Sequence, residues 1–332
     1  MMGAAAAPHG ALEDPLVLRA VRGKLERGLD ALAFELTCRA FRGAAAGLPA
    51  KAKARPEECV CGGIPRLEWA TRDLNCPRSP LVAAAAAYRG RLEELRWVLE
   101  QGFPCDELAA VAAARGGQRA TLEHVLGIRP GIIMRPEICT AASGEGHLGL
   151  LKLLRERGCP WDEDTVALAA RNGHQESVEW ACGGGCPVDA EAAAAAAEGG
   201  HMGILKWLRT EREPPAPWDW TTTAGASQGG HGEILRWAHG EGCPISARTY
   251  ACAAFSGDLN LLEFLDANGC SKDEVACLAA VAAGHPHVLR YLSRCGLREA
   301  VIGRRTVRRA VQAGCTSVLA CLRDLGAPGV PD

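Results

Sequence analysis

A phrase of about 27 residues is written repeatedly along this chain, and that period limits what the chain can fold into. Clear copies are Gly146-His147-Leu148 with Leu151-Lys152-Leu153-Leu154 and Gly158-Cys159-Pro160-Trp161-Asp162, and Gly173-His174 with Val178-Glu179-Trp180 and Gly185-Cys186-Pro187. Others are Gly200-His201-Met202 with Leu205-Lys206-Trp207-Leu208, Gly230-His231 with Leu235-Arg236-Trp237 and Gly242-Cys243-Pro244, and Gly284-His285 with Leu289-Arg290-Tyr291-Leu292. Aligned on the first Gly, ten units are anchored at Gly62, Gly90, Gly117, Gly146, Gly173, Gly200, Gly230, Gly257, Gly284 and Gly314, spaced by 27 to 30 residues. A short fixed period means a stack of small units, each burying its apolar side against its neighbours.

Five residues after each anchor stands Leu or Val in all ten units, from Leu67 to Leu319. Seven after it, eight of ten units carry a large apolar or aromatic residue, among them Trp97, Trp180, Trp207, Trp237, Phe264 and Tyr291. The position between is Glu, Arg or Lys in nine units. Eight before the anchor lie Thr165, Thr222, Thr249 and Thr306. These columns predict two helices per unit. The first follows residues such as Asp164-Thr165, whose side chains accept from free backbone N–H groups. It is Ala-rich (Ala167, Ala169, Ala170; Ala192 to Ala197), so neighbours approach closely. It ends at the anchor Gly, which takes a left-handed turn without a Cβ penalty. The second helix carries apolar residues four, five, seven and eight after the anchor, one face of a 3.6-residue period. A second Gly twelve after the anchor (Gly158, Gly185, Gly242) ends it, and a following Pro stops it from continuing.

The phrases Ala169-Ala170-Arg171-Asn172-Gly173-His174 and Ala196-Ala197-Glu198-Gly199-Gly200-His201 resemble the Ala-Ala-x-x-Gly-His phrase of the ankyrin repeat. The resemblance covers residues 59–326 and implies an all-α fold, an α-solenoid of stacked helix pairs. The ankyrin period is about 33 residues, so about six per unit are missing, at the place of the ankyrin β-hairpin finger. Those fingers are expected to be shortened or absent. The resemblance also implies that the Gly-His histidines (His147, His174, His201, His231, His285) pack at the inter-helix turn and bond backbone groups there. At roughly 10 Å per stacking step, ten pairs predict a curved rod on the order of 100 Å long.

Thirty-seven Lys and Arg against 39 Asp and Glu leave a formal charge of −2. With no basic bias, nucleic acid is not expected as a partner. The apolar runs are a handful of Ala, far short of the roughly 20 residues of a membrane span. Residues 1–11 read as an Ala-rich disordered tail; Met1-Met2-Gly3 lacks the start of a secretory signal, and Glu13 and Asp14 argue against a transit peptide.

Sixteen Cys raise the questions of disulfides and metal. Cys159, Cys186, Cys243 and Cys270 hold one place in different units, roughly 10 Å apart by the stacking step. A disulfide needs Cα atoms within about 4.4–6.8 Å, and zinc sits about 2.3 Å from each sulfur. The column is therefore expected to be small buried hydrophobes with free thiols, which suits a reducing compartment: the cytoplasm, with the nucleus as alternative. Cys59-Val60-Cys61 and Cys182 with Cys186 lack the second pair of a zinc site, so zinc binding stands only as an alternative of another class. The aromatic column shares a face with the Leu column and is expected to pack between units. Gly183-Gly184-Gly185 lacks the Lys-Ser/Thr of a phosphate loop. No catalytic spacing stands out from the repeat, so neither enzyme activity nor a cofactor is expected.

Residues 12–48 stand outside the repeat. Their closing phrase Leu36-Thr37-Cys38-Arg39-Ala40-Phe41-Arg42 resembles an F-box, which implies docking to the adaptor of a cullin ubiquitin ligase. A plain helical cap over the first repeat explains the same residues. Residues 49–58 are the linker and 327–332 a tail. Arg304, Arg305, Arg308 and Arg309 read as the solvated face of an end cap. The whole predicts a monomeric, non-catalytic scaffold that binds a partner protein on the concave face. The alternative is a cullin-ligase substrate receptor. Positions free of packing duty are Arg171, Glu198, Gln228 and Phe255 on first helices and Trp161, Asp162, Trp218 and Asp219 on the turns.

Overall fold

The computed structural model describes residues 80–330 together with Ile64, Leu67 and Glu68. The expected cap or F-box segment at 12–48, the Ala-rich tail, the linker and Cys59-Val60-Cys61 lie outside the described residues. Every regular element among the described residues is helical, as the period predicts. The chain divides into two bodies between Ile132 and Ile133.

In the first body, α1 (Pro80–Tyr88) and α2 (Leu92–Glu100) form one helix pair and α3 (Glu107–Arg115) and α4 (Arg119–Ile128) the next. First helix packs on first helix and second on second. Leu95, Val98, Leu122 and Val125 are buried between them.

The second body continues the pattern with α5 (Pro136–Gly144), α6 (Leu148–Glu156), α7 (Glu163–Asn172), α8 (Gln175–Gly183), α9 (Ala190–Gly199) and α10 (Met202–Lys206). Then follow α11 (Trp220–Gln228), α12 (Gly232–Gly240), α13 (Ala247–Ser256), α14 (Leu259–Ala267), α15 (Glu274–Ala283) and α16 (Pro286–Leu292). A short α17 (Arg298–Val301) precedes the last pair, α18 (Arg304–Ala313) and α19 (Thr316–Asp324). The first helices α5, α7, α9, α11, α13, α15 and α18 stack in chain order, each against the next.

The stack is close because its contact residues are small. Four before the anchor, every described unit has Ala, from Ala86 to Ala310, and each is buried. Where a backbone comes nearer still, the residue is Gly225: a Cβ there would lie 2.7 Å from the Ala194 carbonyl oxygen. The second helices supply the bulk. Leu150, Leu151 and Leu154 on α6 and Ile234, Leu235 and Ala238 on α12 are buried. Each fully buried Leu contributes roughly 1.5–3 kcal/mol of apolar transfer.

The anchor glycines do what their place in the phrase implies. Gly173 and Gly200 both have φ +84 and close α7 and α9. A second constraint was not legible beforehand: the histidine of the following unit lies on both of these glycines, and on Gly146 and Gly257. A methyl group on Gly173 would sit 2.5 Å from the His201 ring, and one on Gly200 2.5 Å from the His231 ring.

The Thr column also has a structural reason. The cap of α7 is Asp162, two residues before the expected start at Asp164. Its carboxylate accepts from the Thr165 backbone N–H (3.2 Å), and the Thr165 hydroxyl accepts from the Asp162 N–H (3.3 Å). Ser246 and Thr249 repeat this reciprocal cap on α13. Units longer than 27 residues place the excess after the second helix. Alpha10 runs on as a π-type turn over Trp207–Glu211, and α16 as one over Ser293–Leu297, bent at Cys295 and Gly296. No helix among the described residues is long and apolar enough to cross a membrane.

Candidate partner-binding surface

The eight residues singled out from the sequence fall into two rows. Arg171, Glu198, Gln228 and Phe255 all stand two before the anchor, on the consecutive first helices α7, α9, α11 and α13. Trp161-Asp162 and Trp218-Asp219 stand where α7 and α11 begin. Nine helical residues separate Asp162 from Arg171, about 13 Å along the axis at 1.5 Å per residue. The two rows therefore lie at opposite ends of the first helices.

Within the first row the structure brings Arg171 and Glu198 together. The Arg171 guanidinium lies 3.1 Å from Glu198 and 3.5 Å from Glu191, so it ties α7 to α9. Gln228 is half-buried, and Phe255 is 42% exposed. The residues just before this row (Ala170, Ala197, Ser227, Ala254) are buried. One residue of helix rotation separates packing from surface.

The second row is engaged in the turns. Asp162 caps α7 and also accepts from the Thr140 hydroxyl of the preceding unit (3.1 Å). Asp219 caps α11 through the Thr221 N–H (2.8 Å). Trp161 lies edge-on to Trp180 with ring centres 5.7 Å apart, and Trp218 to Trp237 at 5.8 Å. Arg155 covers Trp161 at 4.0 Å and Arg209 covers Trp218 at 4.1 Å. These arginines also donate to the Cys159 and Ala216 carbonyls, which holds the tryptophans against the turn.

The aromatic column is half-buried and lies at the edge of the core. Cations from the preceding unit sit over it: Lys152 over Trp180 (5.9 Å), Lys206 over Trp237 (5.9 Å) and Arg236 over Phe264 (5.5 Å). Each such contact supplies about 0.5–1 kcal/mol at a partly exposed site. The charged position between the Leu and aromatic columns is thus a link between units.

The Cys column is buried and its thiols are free. Each thiol donates to a backbone carbonyl of the preceding unit: Cys159 to Arg135 (3.4 Å), Cys186 to Asp162 (3.2 Å), Cys243 to Asp219 (3.1 Å) and Cys270 to Ser246 (3.2 Å). Spacing gave the burial but not this bond, which explains a thiol where a methyl would fit. Burial pushes the Cys186 thiol up to about 12 and those of Cys243 and Cys270 up to about 11. They are held as neutral donors.

One polar cluster had no signature in the sequence beyond an acid where four other units carry Arg or His. Asp266 accepts from the hydroxyls of Tyr250 (3.0 Å) and Tyr291 (2.7 Å) and from Lys272 (2.7 Å). Burial raises its carboxyl, and the bonds from Lys272, Tyr291 and Tyr250 more than offset that, holding it below the usual carboxylate range. Burial and the adjacent carboxylate push both tyrosines well above the usual phenol range. All members are mutually satisfied, so the cluster pins three elements together. His285 behaves as the resemblance implies for the histidines, with its Nε2 3.1 Å from the Phe255 carbonyl oxygen. Among the described residues, no group of three or more His, Cys, Asp or Glu is placed to hold a metal ion.

No family model matches this chain, and no curated protein matches it. Among solved structures, it is similar to the pentatricopeptide repeat protein PPR10 in complex with an 18-nt psaJ RNA element. It is equally similar to the C256S/C430S/C449S form of that protein with the same RNA element. In both cases the identity is 14%, the TM-score 0.40, and the match covers 96% of this chain and 57% of that one. This chain therefore spans a little over half the length of the structures it matches. Both hold RNA, and the expectation that excluded nucleic acid as a partner is corrected accordingly. The physical reason is that a net charge of −2 averages over the molecule and says nothing about a local face such as that of Arg304, Arg305, Arg308 and Arg309.

Proposed function

We propose that this protein is a non-catalytic scaffold that binds a partner protein along the partly exposed row of its first helices. The observation that carries the reading is the division within α7, α9, α11 and α13. The residues three and four before the anchor are small and buried, whereas the residue two before it varies freely: Arg171, Glu198, Gln228, Phe255. Apart from the Arg171–Glu198 pair that ties α7 to α9, the row lies outside the buried Ala columns and can change side chain with little effect on them, and its rigid backbone loses little entropy on binding. The units are read as ankyrin-like helix pairs with the finger reduced to a short turn, on the strength of the Gly-His phrase and the pairing of helices. Buried neutral thiols fit a reducing compartment such as the cytoplasm.

The test uses the intact chain. Gln228→Lys and Phe255→Asp, alone and together, are compared with wild type by affinity purification and mass spectrometry. Neither side chain belongs to the buried core, so the melting temperature is expected to stay put while captured proteins are lost. An unchanged set of captured proteins from the double variant removes the reading.

A further inference from the structure

The last first helix, α18, leaves a stacking side open. In this fold each first helix turns one side to the unit before it and the other to the unit after it. Leu168 on α7 looks back, packing where Gly144 has no side chain. Thr140, six before its anchor, looks forward and bonds Thr165 of the following unit (3.1 Å). The residue three before the anchor shares that forward side, three positions on along the helix. It is buried in every earlier described unit, as at Ala114, Ala170, Ala254 and Val281. In α18 it is Val311, which is 45% exposed. Arg308 and Arg304 precede Val311 by one and two turns on the same side, and both are exposed. The Arg308 position is buried or half-buried in all earlier described units, Ala194, Ala224 and Ala251 among them.

The open side is also the positive end of the chain. Residues 285–326 hold eight arginines against two acids, whereas the rest holds 29 Lys and Arg against 37 Asp and Glu. All eight arginines are exposed. The fold already joins adjacent first helices by arginine–carboxylate pairs: Arg171 with Glu191 and Glu198, and Arg305 on α18 with Glu274 on α15 (3.2 Å). Glu274 occupies the first position of α15, and Arg304 occupies the first position of α18 with the opposite charge. A helix seated on α18 would meet Arg304 where α18 itself meets Glu274.

We propose that the open side of α18 docks an acidic amphipathic helix of a partner protein, seated as the first helix of one further unit would be. Carboxylates of the incoming helix meet Arg304 and Arg308, and a small apolar residue covers Val311. A phosphate backbone would satisfy the guanidinium groups equally well, but it offers nothing to Val311. The surface is separate from the first-helix row proposed above, and its occupancy does not depend on that row.

The test is fluorescence anisotropy with the intact chain and three probes: a labelled peptide with Glu on one helix face and Ala and Leu on the other, its scrambled isomer, and a single-stranded RNA. Saturable binding of the patterned peptide is expected, weakened at least about tenfold by Arg304→Glu/Arg308→Glu. Val311→Ser is expected to weaken it by about threefold or more. Both variants change only exposed side chains and should keep the wild-type circular dichroism and melting temperature. Gln228→Lys, in the other row, should leave the affinity unchanged. Four results overturn the proposal: no saturable binding; equal binding of the scrambled peptide; RNA bound more tightly than the peptide with Val311→Ser without effect; or end-to-end self-association that the arginine reversals abolish.

Discussion

At the scale of single residues, the repeat phrase is made of positions that each satisfy two demands. Gly200 must adopt φ +84, and its missing side chain must admit the His231 ring. Gly200→Ala meets both obstacles and is expected to cost about 1–3 kcal/mol. Gly149, inside α6 with nothing within 4 Å of a Cβ, meets neither, so Gly149→Ala should stabilise by roughly 0.5–1 kcal/mol. Urea unfolding of the two variants distinguishes them by sign. Asp266 gives a pH dependence. Its folded carboxyl is held below the ordinary value, so its contribution is complete above about pH 4 and is lost as the pH falls through the lowered folded value. Asp266→Asn is expected to flatten the acid limb of stability against pH while leaving the neutral region lower. The buried thiols act at the other end. Their folded values are raised above an unfolded value of about 8.5, so their contribution is full below that pH and declines as the pH rises toward about 11 to 12. Cys243→Ala should shallow that alkaline decline. It also leaves the Asp219 carbonyl without its thiol donor, at a cost of about 1 kcal/mol. Gly200 and Cys243 could be placed on turns from spacing alone. The ring over the glycine and the bond from the thiol could not, because both partners belong to another unit.

At the scale of the element, two signals set the helix ends and a third sets the packing. Asp162 with Thr165 and Ser246 with Thr249 satisfy otherwise free N–H groups at the starts of α7 and α13. Ser246→Ala should cost about 1 kcal/mol, measured by thermal unfolding, and should raise amide exchange first in the opening turn of α13. The Thr column was visible in the sequence, but its meaning was not. A lone Thr eight before a glycine gives no direction, whereas the same Thr three residues into a helix closes a reciprocal cap. The half-buried place of the aromatic column was also not legible. Periodicity puts Trp180 and Trp237 on the apolar side of their helices. It does not tell the centre of that side from its edge, where Lys152 and Lys206 can reach over them.

At the scale of the molecule, cohesion comes from contacts between successive units, so position in the stack sets the effect of a substitution. Leu235→Ala empties a fully buried site with neighbours on both sides and is expected to cost about 2–5 kcal/mol. Leu322→Ala on the final helix should loosen the last pair while the middle stays folded. Hydrogen exchange separates the two outcomes: a broad loss of protection for the first, a loss confined to α18 and α19 for the second. Equal, uniform loss in both would show one cooperative core rather than a repeat array.

The sequence by itself determined the period, the two helices per unit and the residue types at each turn. Those properties are local: they follow from how apolar, small and turn-forming residues recur along one chain. Only the tertiary structure decided how one unit grips the next, through histidine on glycine, thiol to carbonyl, cation over aromatic, and arginine to carboxylate. It also decided that Val311 stands uncovered. Burial at a stacking position depends on whether a neighbour is present, and a repeating phrase reads the same with or without one.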